Sequence, residues 1–89
     1  DLVFEKGLHN YPNPFSTETH VVFHSNKTYE VGMHIYNLLG VKVLEISKKT
    51  YAIGKNTIVL NRDNLTSGTY LLVLENEDNQ RVSKLITVK

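Results

Sequence analysis

Apolar and polar residues alternate in short runs along most of this chain, and the three-to-four-residue spacing of an amphipathic helix is not found in it. Alternation of this kind is typical of β-strands that lay one face on a core. Turn-forming segments rich in Asn, Gly, Lys and Ser separate the runs. The alternating positions, in chain order, are Val21 and Phe23; Val31, Met33 and Ile35; Val41 and Val43; Ile58 and Leu60; Tyr70, Leu72 and Leu74; Ile86 and Val88.

With the stretch at residues 8–11, the pattern predicts seven short strands, the number and spacing of an antiparallel sandwich. The segment "IYNLLGVKVLEI" is typical of a hairpin whose short loop holds Gly40 in a left-handed conformation. A second hairpin, "GTYLLVLENEDNQRVSKLITVK", would turn through its polar middle. The part "TYLLVLE" is apolar on both faces, which indicates a central strand covered on both sides. We expect a shared core of Ile35, Val43, Leu60, Leu72 and Leu74.

Two further motifs refine this picture. In "NYPNPF", Pro12 and Pro14 favour extended backbone but supply no amide donors, so the stretch should be an edge strand or its exit, anchored by buried Tyr11 and Phe15. In "NLTSGTY", Tyr70 follows Gly68 where a central strand begins. This resembles the tyrosine corner, in which the hydroxyl bonds to backbone upstream. The predicted fold is therefore an all-β, immunoglobulin-like antiparallel sandwich of about seven strands.

The composition of the chain excludes several classes of function. Hydrophobic residues make up 40% of the 89-residue chain and charged residues 21%, as in ordinary globular domains. Ten basic and nine acidic residues, without a basic cluster, give no footprint for nucleic acid or anionic lipid. The absence of cysteine removes disulfides and thiolate chemistry. No apolar run approaches the roughly 20 residues of a membrane-spanning helix, so we expect no membrane insertion by the domain itself.

Catalytic and binding chemistry finds little support in the residues. His20 and His24 lie about 13 Å apart along one strand, too far to share a metal ion, and nothing places His34 opposite either one. We expect these histidines to face solvent. Ser67 lacks the nucleophile elbow of a hydrolase. From the histidines and Ser67 together, we expect no enzyme, no metal and no cofactor. Exposed tyrosines could still form a platform for sugar rings, or cover loops and edges instead: Tyr29, Tyr36 and Tyr51.

Five marks in order, "NYPNPF", "HIYNLLGVKV", the Gly-x-Asn of residues 54–56, "NLTSGTYLLVL" and a terminal "KLITVK", cover nearly the whole chain. Together they resemble the type A C-terminal sorting domain of the type IX secretion system of Bacteroidota. The resemblance implies an immunoglobulin-like sandwich attached to an N-terminal cargo domain. It also implies passage through the periplasm, recognition by the outer-membrane translocon, and removal by a sortase-like cysteine peptidase. The cargo would then stay at the cell surface or be released outside the cell.

The same resemblance divides the chain and assigns its parts. Residues 1–9 would be the linker from the cargo and residues 10–89 the sorting domain, with cleavage at or before Asn10. The family's structural marks fall on Tyr11, Pro12, Asn13, Pro14, Gly40, Gly68 and Tyr70. Recognition by the translocon would fall on the C-terminal segment, at Lys84, Leu85, Ile86, Val88 and Lys89.

Other interpretations of the C-terminal segment remain open. It could be only the last strand, needed for folding. Lys84 shares a face with Val82, Ile86 and Val88 while Leu85 points the other way, so either a bulge or a lysine reaching past the edge must reconcile the pattern. The alternatives for the whole domain are an adhesion or carbohydrate-binding module and a structural spacer. The spacer would be disfavoured if Lys89 is the natural terminus.

Overall fold

The computed structural model describes the backbone of residues 4–89 and the side chains from residue 7 onward. Seven antiparallel strands make up the fold, as predicted. They are β1 (Phe4–Tyr11), β2 (Glu18–Ser25), β3 (Tyr29–Tyr36), β4 (Lys42–Tyr51), β5 (Gly54–Asn61), β6 (Gly68–Asn76) and β7 (Arg81–Val88). Within this described part, no helix is long and apolar enough to cross a membrane.

The strands form two sheets, ordered β1-β2-β5 and β4-β3-β6-β7. The predicted immunoglobulin-like sandwich is confirmed. Strand β1 begins at Phe4 instead of residue 8, and Gly7, with φ of 75°, lies at the shift in register between Glu5 and Leu8. Strands β1 and β7 are outer strands of their respective sheets and run along the same side of the sandwich.

The core lies between the sheets and contains most of the predicted residues. Ile35, Leu60, Leu72 and Leu74 are all buried. Val43 is not, because 41% of it is exposed, so its assignment to the core is wrong. The pairing of β3 with β4 passes from Ile35–Leu44 to Tyr36–Lys42 and skips Val43. This irregularity turns Leu44 and Ile46, instead of Val41 and Val43, toward the core.

Both predicted hairpins are confirmed. Between β3 and β4, the side-chain oxygen of Asn37 accepts hydrogen bonds from the amides of Leu39 and Val41, each 3.0 Å long. Gly40 takes a φ of 83° and donates its amide to the carbonyl of Asn37. This conformation favours glycine because it lacks a Cβ. Between β6 and β7, residues 77–80 make the turn, and the side chain of Asn76 accepts amide hydrogen bonds from Asp78 and Gln80.

The tyrosine corner is also confirmed. The hydroxyl of Tyr70 donates a hydrogen bond of 2.7 Å to the carbonyl oxygen of Thr66 and lies 3.1 Å from the hydroxyl of the same threonine. Gly68 precedes it at the start of β6 with φ of 151°. The bond ties the β5–β6 connection to the central strand, and the ring of Tyr70 is buried in the core.

Candidate functional site

The "NYPNPF" motif and the C-terminal strand, far apart in sequence, lie side by side. Phe15 forms a parallel bridge with Val88: its amide donates to the carbonyl of Thr87 at 3.0 Å, and its carbonyl accepts the amide of Lys89 at 2.9 Å. The side-chain oxygen of Asn13 accepts the amide of Thr87 at 2.9 Å. We call this set of contacts, between residues 10–15 and residues 84–89, the terminal clasp.

A hydrogen bond from Thr19 fixes the place where the motif leaves β1. Strand β1 ends at Tyr11, and the two following X-Pro bonds, Tyr11–Pro12 and Asn13–Pro14, are cis. The hydroxyl of Thr19, buried in β2, donates to the carbonyl of Pro12 at 2.8 Å and so fixes the exit of the strand. The segment therefore leaves its own sheet at a defined place and meets β7.

The two aromatic residues of the motif have different positions. Phe15 is buried in the core as predicted, with 1% of its surface exposed. Tyr11 is 55% exposed, so the prediction that it is buried is wrong. Its ring stacks on the imidazole of His20 with 5.5 Å between the centroids, because paired positions of β1 and β2 hold the two side chains on the outer face.

Lys84 resolves the conflict in the pattern of β7. The β6–β7 pairing has no shift in register, so a bulge is not the explanation. Lys84 lies on the inward face of β7 at the rim of the sandwich, and its ammonium donates a hydrogen bond to the side-chain oxygen of Asn10. The amide nitrogen of Asn10 in turn donates to the hydroxyl of Thr19. The lysine therefore reaches past the edge of its sheet and joins the terminal clasp.

The five predicted recognition residues do not share one surface. Ile86 and Val88 are buried in the core. Lys84 is half-buried in the clasp, Lys89 is exposed, and Leu85 is 58% exposed on the opposite face of the strand from Lys84. A partner approaching the folded domain can therefore contact Leu85, Lys89 and the ammonium of Lys84, whereas Ile86 and Val88 position the strand.

Leu85 forms part of a groove of about 490 Å³ on the outer face of the four-stranded sheet. Its apolar lining comes from Leu71 and Val73 of β6, Tyr36 of β3 and Leu38 of the β3–β4 loop. We call it the outer groove. Leu71 and Val73 are half-buried, so the prediction that β6 is covered on both sides is wrong within this single domain. Leu38 and Leu39 are 73% and 88% exposed beside it.

Charged residues close the other end of the outer groove. Arg81 donates a hydrogen bond of 2.9 Å to Glu75, and this bond lowers the pKa of the Glu75 carboxyl from its ordinary value. His34 lies between Glu75 and Glu45, at 3.8 and 3.9 Å. Only 17% of its side chain is exposed, so the prediction that it faces solvent is wrong. Its cross-strand neighbours are Glu45 in β4 and Val73 in β6.

The structure brings neither a histidine site nor a tyrosine platform together. His20 and His24 belong to the three-stranded sheet and His34 to the other sheet. Among the described side chains, no three histidine or acidic residues converge as metal ligands would. Tyr29 is buried and Tyr51 packs edge-on against Phe23 at 5.4 Å, so the sugar platform does not form.

Sequence reasoning missed the clasp and the groove for different reasons. The clasp joins segments more than 70 residues apart, and nothing in a strand pattern predicts which outer strand the proline segment will meet. The groove, in contrast, is indicated by apolar residues in the sequence. Leu71 and Val73 are apolar at outward positions of β6, and two leucines occupy a tight turn, where polar residues are usual.

Comparison with known proteins agrees with this architecture. The chain matches the family of secretion system C-terminal sorting domains over residues 9–89. It belongs to that family, the C-terminal sorting domains of type IX secretion, a system of the Bacteroidota outer membrane. The family is one of sorting signals and not of enzymes. No curated protein matches the chain by sequence.

Proposed function

We propose that the domain carries its cargo to the outer-membrane translocon of the type IX system, that the translocon reads the C-terminal strand, and that a sortase-like cysteine peptidase then removes the domain. The cargo crosses the periplasm and ends at the cell surface or outside the cell. Membership of the sorting-domain family supports export of cargo as the general role.

The terminal clasp is the observation that supports reading of the C-terminal strand. Strand β7 is an outer strand, and residues 87–89 at its end are held by Asn13 and Phe15 of the other family motif. Both motifs thus form one surface, with Lys84 and Lys89 contributing positive charge to it. A partner that recognises this surface reads the folded domain and not a loose peptide.

We propose that cleavage occurs at or before Asn10. Residues 4–9 of the proposed linker, residues 1–9, belong to strand β1. A peptidase needs accessible extended backbone, and the pairing of β1 with β2 from Phe4 onward favours a bond before that strand. Mass spectrometry of the released domain gives its new N-terminus directly. A terminus inside Val21–Val88 would contradict the proposal, because most of that backbone is paired in strands β2 to β7.

The export role is tested by fusing the chain to the C-terminus of a periplasmic reporter with an ordinary signal peptide. In a Bacteroidota host we expect the fusion at the surface or in the medium, and the reporter alone in the periplasm. A host without the type IX translocon should retain both. Export of the fusion from that host, or its retention in the competent host, would refute the proposed function.

A further inference from the structure

Within residues 4–89, strand β7 has a stretch of edge, directly beside the outer groove, along which no other strand is paired. Thr87 turns its amide and carbonyl away from β6, toward Asn13 and Phe15. Because backbone groups two residues apart in a strand point the same way, Leu85 and Ser83 present theirs on the same edge. Among the described residues, the clasp bonds the main chain of this edge only at residues 87–89, since Lys84 joins it through its side chain. Both Leu85 and Ser83 are exposed.

The clasp itself indicates what kind of group this edge accepts. The chain lays an extended segment of its own along the last part of β7, with main-chain bonds to Thr87 and Lys89 and the apolar side chain of Phe15 inserted. An extended peptide that continued along the edge would meet the donors and acceptors of Ser83 and Leu85. Its outward side chains would lie over Leu85, next to Leu71 and Tyr36 in the groove.

We propose that the edge of β7 at Ser83 and Leu85 takes an extended, apolar peptide segment of the export machinery, which adds a strand to the four-stranded sheet and covers the outer groove. Strand addition draws affinity from main-chain hydrogen bonds and specificity from pockets for alternate side chains. The loop at residues 37–41, braced by the side chain of Asn37, holds Leu38 at the groove for the same contact. The proposal rests on the proposed function and specifies its partner.

Two variants of the reporter fusion test the groove and the backbone edge of β7 separately. Leu85→Ser removes the groove wall and keeps the backbone donor. Ser83→Pro removes the backbone amide of residue 83 from the free edge of β7 and keeps the groove. The hydrogen bonds between β7 and β6 do not involve that amide. Val59→Ser is the matched control, because Val59 is a 45% exposed apolar residue in β5 of the other sheet. Circular dichroism and the melting temperature establish that each variant is folded.

We expect Leu85→Ser and Ser83→Pro each to lower export about tenfold. The first variant loses the burial of one leucine side chain against the partner, and the second loses one main-chain hydrogen bond to it. Val59→Ser should export normally. Normal export of both variants, from a host in which the wild-type fusion still needs the translocon, would overturn this proposal and leave the export role standing. Loss with Leu85→Ser alone would indicate an apolar contact without strand addition, for example with lipid, and would also overturn it.

Hydrogen exchange provides a second measurement if Ser83→Pro lowers the melting temperature. The wild-type domain is mixed with purified type IX translocon in detergent, and exchange is followed residue by residue. We expect the amides of Ser83 and Leu85 to exchange at least about tenfold more slowly in the complex, because each would then be hydrogen-bonded to the partner. Unchanged exchange at both amides in a formed complex would refute strand addition.

Discussion

The backbone amide of Phe15 donates a hydrogen bond of 3.0 Å to the carbonyl oxygen of Thr87, which ties the exit of the first strand to the last strand. Because β1 and β7 belong to different sheets, this contact closes one side of the sandwich. It also brings together the two ends of a sorting domain, the end next to the cargo and the end that we propose is recognised. The clasp therefore gives the family's two terminal motifs one structural role.

The clasp should contribute measurably to stability. Asn13→Ala removes the acceptor of the Thr87 amide, and we expect the free energy of unfolding to fall by about 1 kcal/mol. Amide exchange at Thr87 should accelerate in the same variant. Asn64→Ala, at an exposed loop position, is the control and should change stability by less than about 0.5 kcal/mol. Equal effects of the two changes in urea denaturation would show that the bond between Asn13 and Thr87 does not stabilise the fold.

The positions of Leu72 in β6 and Val43 in β4 predict very different costs for truncating two aliphatic side chains. Leu72→Ala should cost about 2 to 5 kcal/mol, because Leu72 is 1% exposed in the centre of the core. Val43→Ala should cost about 0.5 kcal/mol or less, since Val43 lies outward. Chemical denaturation measures both. A cost below about 0.5 kcal/mol for Leu72→Ala would mean that the central strand is misassigned.

The tyrosine corner predicts that removing the hydroxyl of Tyr70 alone lowers the free energy of unfolding. Tyr70→Phe keeps the buried ring and removes the bond to Thr66, so we expect a loss of about 0.5 to 1.5 kcal/mol. Tyr11→Phe removes an exposed hydroxyl and should be neutral in the same thermal or urea unfolding series. If the two substitutions were indistinguishable, the hydroxyl of Tyr70 would have no role in holding the β5–β6 connection.

The pair of Glu75 and Arg81 predicts a pH dependence. The hydrogen bond from Arg81 lowers the pKa of Glu75 below its ordinary value of 4.5. A lowered carboxyl pKa stabilises the fold above the unfolded value, and this contribution disappears as pH falls through the folded value. Arg81→Gln should therefore raise the pKa of Glu75, which a carbon-detected NMR titration reads directly. Its stability deficit should shrink in acid, and a deficit that grew in acid would contradict the assignment.

Local pattern was sufficient to predict the strand number, the two hairpins, the tyrosine corner and the family, since each depends on residues close in sequence. It was insufficient for β4, where the pairing skips Val43 and reverses which residues face inward. It also could not predict that Lys84 would reach Asn10, because that contact depends on how the two sheets align at their edges. The outer groove was misread as the second face of a covered strand, although the same apolar residues at 71 and 73 were its signal.

The central claim, that the C-terminal strand of the folded domain is read for export, is tested most directly by charge reversal at Lys84 and Lys89 in the reporter fusion. Its control reverses Lys27 and Lys55, which are equally exposed or more so and lie away from the clasp and the groove. We measure the fraction of reporter outside the cell and confirm folding of both variants by circular dichroism. The account predicts that Lys84→Glu with Lys89→Glu leaves the reporter in the periplasm, while Lys27→Glu with Lys55→Glu exports it normally. Normal export of a folded Lys84→Glu, Lys89→Glu domain would contradict the claim.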